Sequence, residues 1–160
     1  MRHTISVWVD NEPGVLSRVT SLFSGRGFNI ESLCVAETIE PDVSRITLVT
    51  SGNEQIIEQI IKQLRKLINV IRVVDLTRTE HVEREMALVK IKAEDRSRAE
   101  VLRIADIFRC RVVDVSPHSY TLEITGNNEK IRAVLDLLKS IGIQEVVRTG
   151  TLAIQRSKKS

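Results

Sequence analysis

A turn in the sequence DNEPGVLSRV, residues 10–19, has the residue types and spacing that best suit a chemical role. The first N–H groups of a helix have no partner within the helix, and the aligned peptide dipoles leave partial positive charge there. Gly14 has no Cβ that would stand between a ligand and these amides. Asn11 is a residue type suited to capping the helix, and Val15 and Leu16 add apolar surface. The segment therefore favours binding of a carboxylate.

The local pattern also has a simpler structural explanation. Pro13 and Gly14 are residues that occur at many strand-to-helix turns without any ligand. Asn29 follows the turn at Gly27 and is equally typical of a polar residue that leads into a strand. The turn lacks the length, the lysine and the hydroxyl of a P-loop, so a nucleoside triphosphate is a poor candidate.

Hydrophobic periodicity predicts the elements that position this turn. Ile5, Val7 and Val9 alternate with other residues and predict a strand over 4–10. A helix then starts near Pro13 and stops at the glycines that follow residue 24. Further along, the pattern predicts strands over 28–37 and 44–50, a helix from residue 54, and a strand over 70–76. The order is βαββαβ.

The chain then repeats this unit. The stretch TLVTSGNEQIIEQIIKQL aligns with TLEITGNNEKIRAVLDLL 74 positions later, which superimposes Asn53 on Asn127. Periodicity in the second half predicts strands over 86–93, 111–115 and 119–125, with a helix over 98–108. We therefore predict an α+β chain of two ferredoxin-like βαββαβ domains, each an antiparallel sheet with helices on one face.

The domain boundary is predicted near RTEHVERE, residues 78–85, where the apolar pattern lapses. This places one domain over residues 1–78 and the second over 79–160, and the basic C-terminal RSKKS is predicted to be loose.

Composition excludes several classes of protein. The net charge is +3, and aromatic residues are 3% of the chain, which argues against a nucleic-acid-binding surface. No apolar run reaches the roughly 18 residues of a membrane span, and the start has no signal-peptide pattern. Cys34 and Cys110 have no CxxC or histidine companions, so neither a metal site nor a disulfide is expected. We expect a cytoplasmic protein.

The segment NEPGVLSRVTSLFSGRGFNIESLCVAET, residues 11–38, resembles the opening of acetohydroxyacid (acetolactate) synthase small subunits. The following SRIT strand and the later HVERE linker are also similar to that family. The resemblance implies an N-terminal ACT domain, a homodimer in which two ACT domains join side by side, and valine bound at the joint. It leaves leucine and isoleucine open as effectors.

The family's site residues transfer onto this sequence by position. The turn that meets the effector would contain Asn11, Pro13, Gly14, Val15 and Leu16, and the neighbouring protomer would contribute Asn29 and Ile30. Cys34 stands where many relatives have threonine, which leaves the local hydrogen bonding open.

The resemblance implies a non-catalytic regulatory subunit that stimulates a catalytic large subunit and confers feedback inhibition in branched-chain amino acid biosynthesis. Thiamine diphosphate, magnesium and FAD would belong to the large subunit, with no cofactor in this chain. An independent enzyme is disfavoured because His3, His81 and His118 have no nucleophile or metal-ligand companions nearby in sequence. The alternative left open is an ACT-domain regulator of another enzyme or of transcription.

Overall fold

The computed structural model describes residues 1–159 and divides them into two compact units. One unit contains Met1–Val82 together with the residues from Thr151 onward, and the other contains Glu83–Gly150. None of the helices within these described residues is long and apolar enough to cross a membrane.

The first unit has the predicted βαββαβ order. Its elements are β1 (Arg2–Asp10), α1 (Val15–Ser24), β2 (Ile30–Glu37), β3 (Val43–Ser51), α2 (Glu54–Leu64) and β4 (Val70–Asp75). The strands form an antiparallel sheet in the order β2-β3-β1-β4, so β2 is one of its edges. The prediction for this half of the chain is confirmed, with element ends that agree to within a few residues.

The core of the first unit lies between the sheet and its two helices. Alternation along β1 directs Ile5, Val7 and Val9 to one face, as the period of a strand requires. Val19 and Phe23 of α1 are fully buried against that face, since they share one side of the helix. Burial on this face aligns α1 with the sheet, so the start of α1 is held at the end of β1.

The second unit repeats the arrangement. Its elements are β5 (His81–Lys92), α3 (Arg98–Ile107), β6 (Arg111–Val115), β7 (Ser119–Gly126), α4 (Asn128–Lys139) and β8 (Ile143–Arg148), in the antiparallel sheet order β6-β7-β5-β8. Asn53 caps α2 by accepting from the N–H of Gln55, and Asn127 caps α4 by accepting from Lys130. The two aligned asparagines therefore both cap the helix that follows them. The predicted fold class is confirmed.

The stretch HVERE is a strand rather than a linker. It forms the start of β5, and Glu85 within it is 4% exposed. Arg148 donates to both carboxylate oxygens of Glu85, at 2.6 and 3.1 Å. Because this ion pair lies within a sheet, residues 81–85 of the predicted boundary belong to an ordered strand.

The C-terminal residues differ from the prediction as well. The sequence assigns them to the second domain, whereas the structure groups them with the first unit, where Leu152–Gln155 form strand β9. Thr151 donates its N–H to Ser32 Oγ at 2.7 Å, and Ala153 is 5% exposed. Arg156, in the segment predicted to be loose, donates its N–H to the carbonyl of Glu80 at 2.8 Å. Strand β9 covers the face of the first unit's sheet that is opposite α1 and α2.

Candidate functional site

The turn between β1 and α1 presents an open backbone surface. Gly14 is the N-cap of α1 and has φ 83°, in the left-handed region that glycine adopts without a steric cost. A Cβ built on Gly14 would meet nothing within 4 Å. The space above the helix start is therefore free for a ligand, and glycine is the residue that keeps it so.

Three N–H groups at this turn lack acceptors. Within residues 1–159, the amides of Gly14, Leu16 and Ser17 have no hydrogen-bond partner, and no side chain caps the helix. The amide of Val15 is the exception, since it reaches the carbonyl of Glu12 at 3.4 Å. The first turn of α1 contains no acidic residue that would neutralise the helix dipole. This helix start differs from those of α2 and α4, which their asparagines cap.

Asn11 does not cap the helix, contrary to its suggested role. Its Nδ2 group donates to Glu37 Oε1 at 3.0 Å and to the carbonyl of Pro41 at 2.9 Å. Its backbone N–H donates to the carbonyl of Asp42 at 2.8 Å. Three residues separate Asn11 from Val15, the first residue of α1, so Asn11 is not at the capping position. Its side chain instead bonds to the β2–β3 hairpin.

A second set of contacts holds the other side of the turn. Asn69, just before β4, donates its side-chain amide to carboxylate oxygens of Asp10 and Glu12, each at 3.3 Å. Its side-chain oxygen accepts from Arg18 at 2.6 Å, which ties the first turn of α1 to the same point. The turn is thus fixed between the hairpin on one side and the start of β4 on the other.

The apolar residues assigned to the turn have different environments. Val15 is 2% exposed and belongs to the core, so its side chain does not line the open surface. Leu16 is 40% exposed and is the apolar group available to a ligand. Pro13 lies exposed in the turn, two residues before the helix begins, rather than in its first turn.

Asn29 and Ile30 lie at the opposite end of β2 from the turn. Ile30 begins β2 and packs against the core, while Glu37 at its end contacts Asn11. Seven residue steps along a strand span about 23 Å. One copy of the chain therefore cannot bring Asn29 to the Gly14 turn, and the carbonyl of Asn29 accepts from Thr50 Oγ1 at 2.8 Å.

The contact between Asn11 and Glu37 had no signal in the sequence. The two residues are 26 positions apart, and only the pairing of β3 with both β1 and β2 brings the ends of those strands together. Cys34 pairs with Thr47 on the sheet face that β9 covers, and it is half-buried. Its position favours a packing role for the thiol over a place in the open turn.

Comparisons with known proteins show which family the chain resembles. Residues 5–72 match the family model described as the AHAS small subunit-like ACT domain, and residues 84–157 match the model for the small subunit of acetolactate synthase. The chain is 52% identical to the acetolactate synthase small subunit of Aquifex aeolicus over 97% of this chain and 81% of that protein. It is 48% identical to the Haemophilus influenzae acetolactate synthase small subunit, covering 100% of this chain and 99% of that one.

A solved structure has the same architecture. The crystal structure of the acetolactate synthase small subunit from Thermotoga maritima superimposes with a TM-score of 0.90 and 38% identity, covering 99% of both chains. Both halves of the sequence match family models, and the whole chain matches curated relatives and a solved structure. The chain therefore belongs to the family of acetolactate synthase small subunits.

Proposed function

We propose that this chain is the regulatory subunit of an acetolactate synthase and that it binds valine at the β1–α1 turn. The observation that carries the proposal is the set of unpaired amides at Gly14, Leu16 and Ser17, beneath open space. An amino acid carboxylate is the right size and charge to accept from them, and the helix dipole adds to the attraction. Leu16 then offers apolar contact to the branched side chain, with leucine and isoleucine as competing effectors.

The second half of the site comes from a partner subunit. Strand β2 is a sheet edge, and an isologous pair of edges runs antiparallel. In such a pair, the start of one β2 lies beside the end of the other. Asn29 and Ile30 of one copy therefore approach the Gly14 turn of the second copy, although they are about 23 Å from their own. In this arrangement, the Gly14 turn of one copy and Asn29 and Ile30 of the other copy together form one site.

Regulation follows from ligand binding across this dimer joint. Valine stabilises one arrangement of the paired ACT domains, which changes the surface offered to the catalytic subunit and lowers its activity. Such coupling commonly amounts to about 1–3 kcal/mol, which a few differential contacts supply. Without effector, the regulatory subunit raises the activity of the catalytic subunit.

The catalytic chemistry resides in the large subunit. We assign thiamine diphosphate, magnesium and FAD to that subunit, none to this chain, and place the complex in the cytoplasm. The role of the present chain is then to bind the end product of the pathway and report its concentration.

Reconstitution tests this proposal. The chain is mixed with a matching catalytic subunit, and acetolactate formation is measured with and without valine, leucine and isoleucine. We expect stimulation by the chain alone and loss of that stimulation with valine. Stimulation that no branched-chain amino acid reverses would contradict effector binding, and no stimulation at all would contradict the regulatory role.

A further inference from the structure

The side-chain amide of Asn11 is held in one orientation. Both of its Nδ2 hydrogens are used, one by Glu37 Oε1 at 3.0 Å and one by the carbonyl of Pro41 at 2.9 Å. Its Oδ1 has no hydrogen-bond partner among residues 1–159. Rotating the amide by half a turn would place Oδ1 against two oxygens, which is repulsive. Glu37 and Pro41 therefore determine which atom of Asn11 remains available.

The available atom is an acceptor beside a site for a carboxylate. Asn11 lies three residues before Gly14, whose amide is unpaired. An amino acid bound by its carboxylate carries an ammonium on the adjacent carbon, and that ammonium requires oxygen acceptors when it leaves water. The amides of the helix start cannot supply them, because they are donors. Asn11 Oδ1 is an acceptor that the turn itself provides.

We propose that Glu37 is a positioning residue for this site: it holds the Asn11 amide so that Oδ1 faces the ammonium of the bound amino acid. The inference rests on the proposed function and specifies how that site distinguishes an amino acid from a simple carboxylate. Pro41 supplies a second acceptor through its backbone carbonyl, which no side-chain substitution removes. Of the two hydrogen bonds that hold the Asn11 amide, only the one to Glu37 can therefore be tested by a side-chain substitution.

Glu37 is placed for this role by the sheet. It is the last residue of β2 and pairs with Ser44, while Asp10, the residue before Asn11, pairs with Val43 on the other side of β3. The hairpin therefore lies beside the turn, and the carboxylate reaches Asn11 across the end of one strand. Glu40 lies in the same hairpin and carries the same charge, but its carboxylate makes no hydrogen bond to Asn11.

The test compares three variants of the full-length chain by titration calorimetry with valine. Glu37→Ala removes the acceptor, and we expect valine to bind about five- to tenfold more weakly, as for the loss of one ordinary solvent-exposed hydrogen bond. Glu37→Gln retains an oxygen that accepts from Nδ2 and should bind within about twofold of the wild type. Glu40→Ala is the matched control for charge and should bind as the wild type does.

A ligand without the ammonium provides the second readout. 3-Methylbutanoate has the carboxylate and the branched chain of valine, so Glu37→Ala should leave its weak binding unchanged while valine binding falls. Equal losses for both ligands, or unchanged valine binding in Glu37→Ala, would overturn the positioning role while leaving the valine site intact. A wild-type chain that bound no valine would overturn the proposed function and this inference together.

Discussion

The guanidinium of Arg45 lies 4.4 Å from the centre of the Trp8 ring, and the same side chain donates to the carbonyl of Ala153 at 2.9 Å. Arg72 also lies over Trp8, at 4.8 Å, so two cations contact one indole. Burial, and then the nearby charge of Arg72, lower the pKa of Arg45 from its ordinary value. Arg45 thus joins the sheet of the first unit to the C-terminal strand β9.

Substitution in β9 should destabilise the first unit according to the side chain's burial. Ala153 is 5% exposed, so Ala153→Asp desolvates a carboxylate at a cost that the neighbouring Arg45 only partly offsets, and it should lower the free energy of unfolding by about 1–3 kcal/mol. Ile154 is the matched control, because it is the next residue and is 58% exposed. Ile154→Asp should change the stability by less than about 0.5 kcal/mol. Urea unfolding followed by circular dichroism measures both, and equal effects would show that β9 is not packed on the sheet.

Gly14→Asp should abolish effector binding. The side chain would stand over the free amides, and its carboxylate would compete for them and repel the carboxylate of the ligand. Losing one or more charge-assisted hydrogen bonds predicts at least about tenfold weaker binding of valine in calorimetry. Gly150 has the same φ of 83° and belongs to the second unit, so Gly150→Asp carries a comparable backbone strain without altering the turn. Unchanged valine affinity in a folded Gly14→Asp chain would place the site elsewhere.

Mixing two inactive variants tests whether the site is shared between subunits. Neither Gly14→Asp nor Asn29→His should bind valine well as a homodimer. A mixed dimer has one site with both defects and one with neither, so equal amounts of the two chains, unfolded and refolded together, should recover about a quarter of the wild-type sites. The control refolds each variant alone. A site built within one subunit would show no recovery.

The second unit should lose stability at high pH through Cys110. Burial raises the pKa of this half-buried thiol, an effect larger than the opposing attraction of Lys130. The folded state therefore holds a proton that the unfolded state releases above about pH 8.5, so stability falls as the pH rises beyond that point. Cys110→Ala should lose less stability than the wild type between pH 8 and pH 10. Parallel slopes for the two proteins in urea unfolding would contradict the shift.

Much of the fold was predictable because it depends on local chemistry. The alternation in β1 predicts that strand correctly, and the turn residues before α2 and α4 predict where those helices begin, because each signal acts within a few residues. The 74-residue repeat predicts the same strand, turn and helix in the second half of the chain. Gly14 was identified for the same reason, since its role depends on its own backbone angle and on the helix that follows it.

Other features depended on the register of strands that lie far apart in the chain. Asn11 could have capped α1 by residue type, but the β2–β3 hairpin lies within reach and provides Glu37 and Pro41 as acceptors. Val15 joined the core because α1 packs that side on the sheet. The sequence by itself determined the βαββαβ repeat and a helix start with unpaired amides, since propensity and periodicity are local. Only the tertiary structure decided which polar side chains meet at that start and which segment covers the opposite face, because hydrogen bonds between strands depend on how the sheet is ordered and not on distance along the chain.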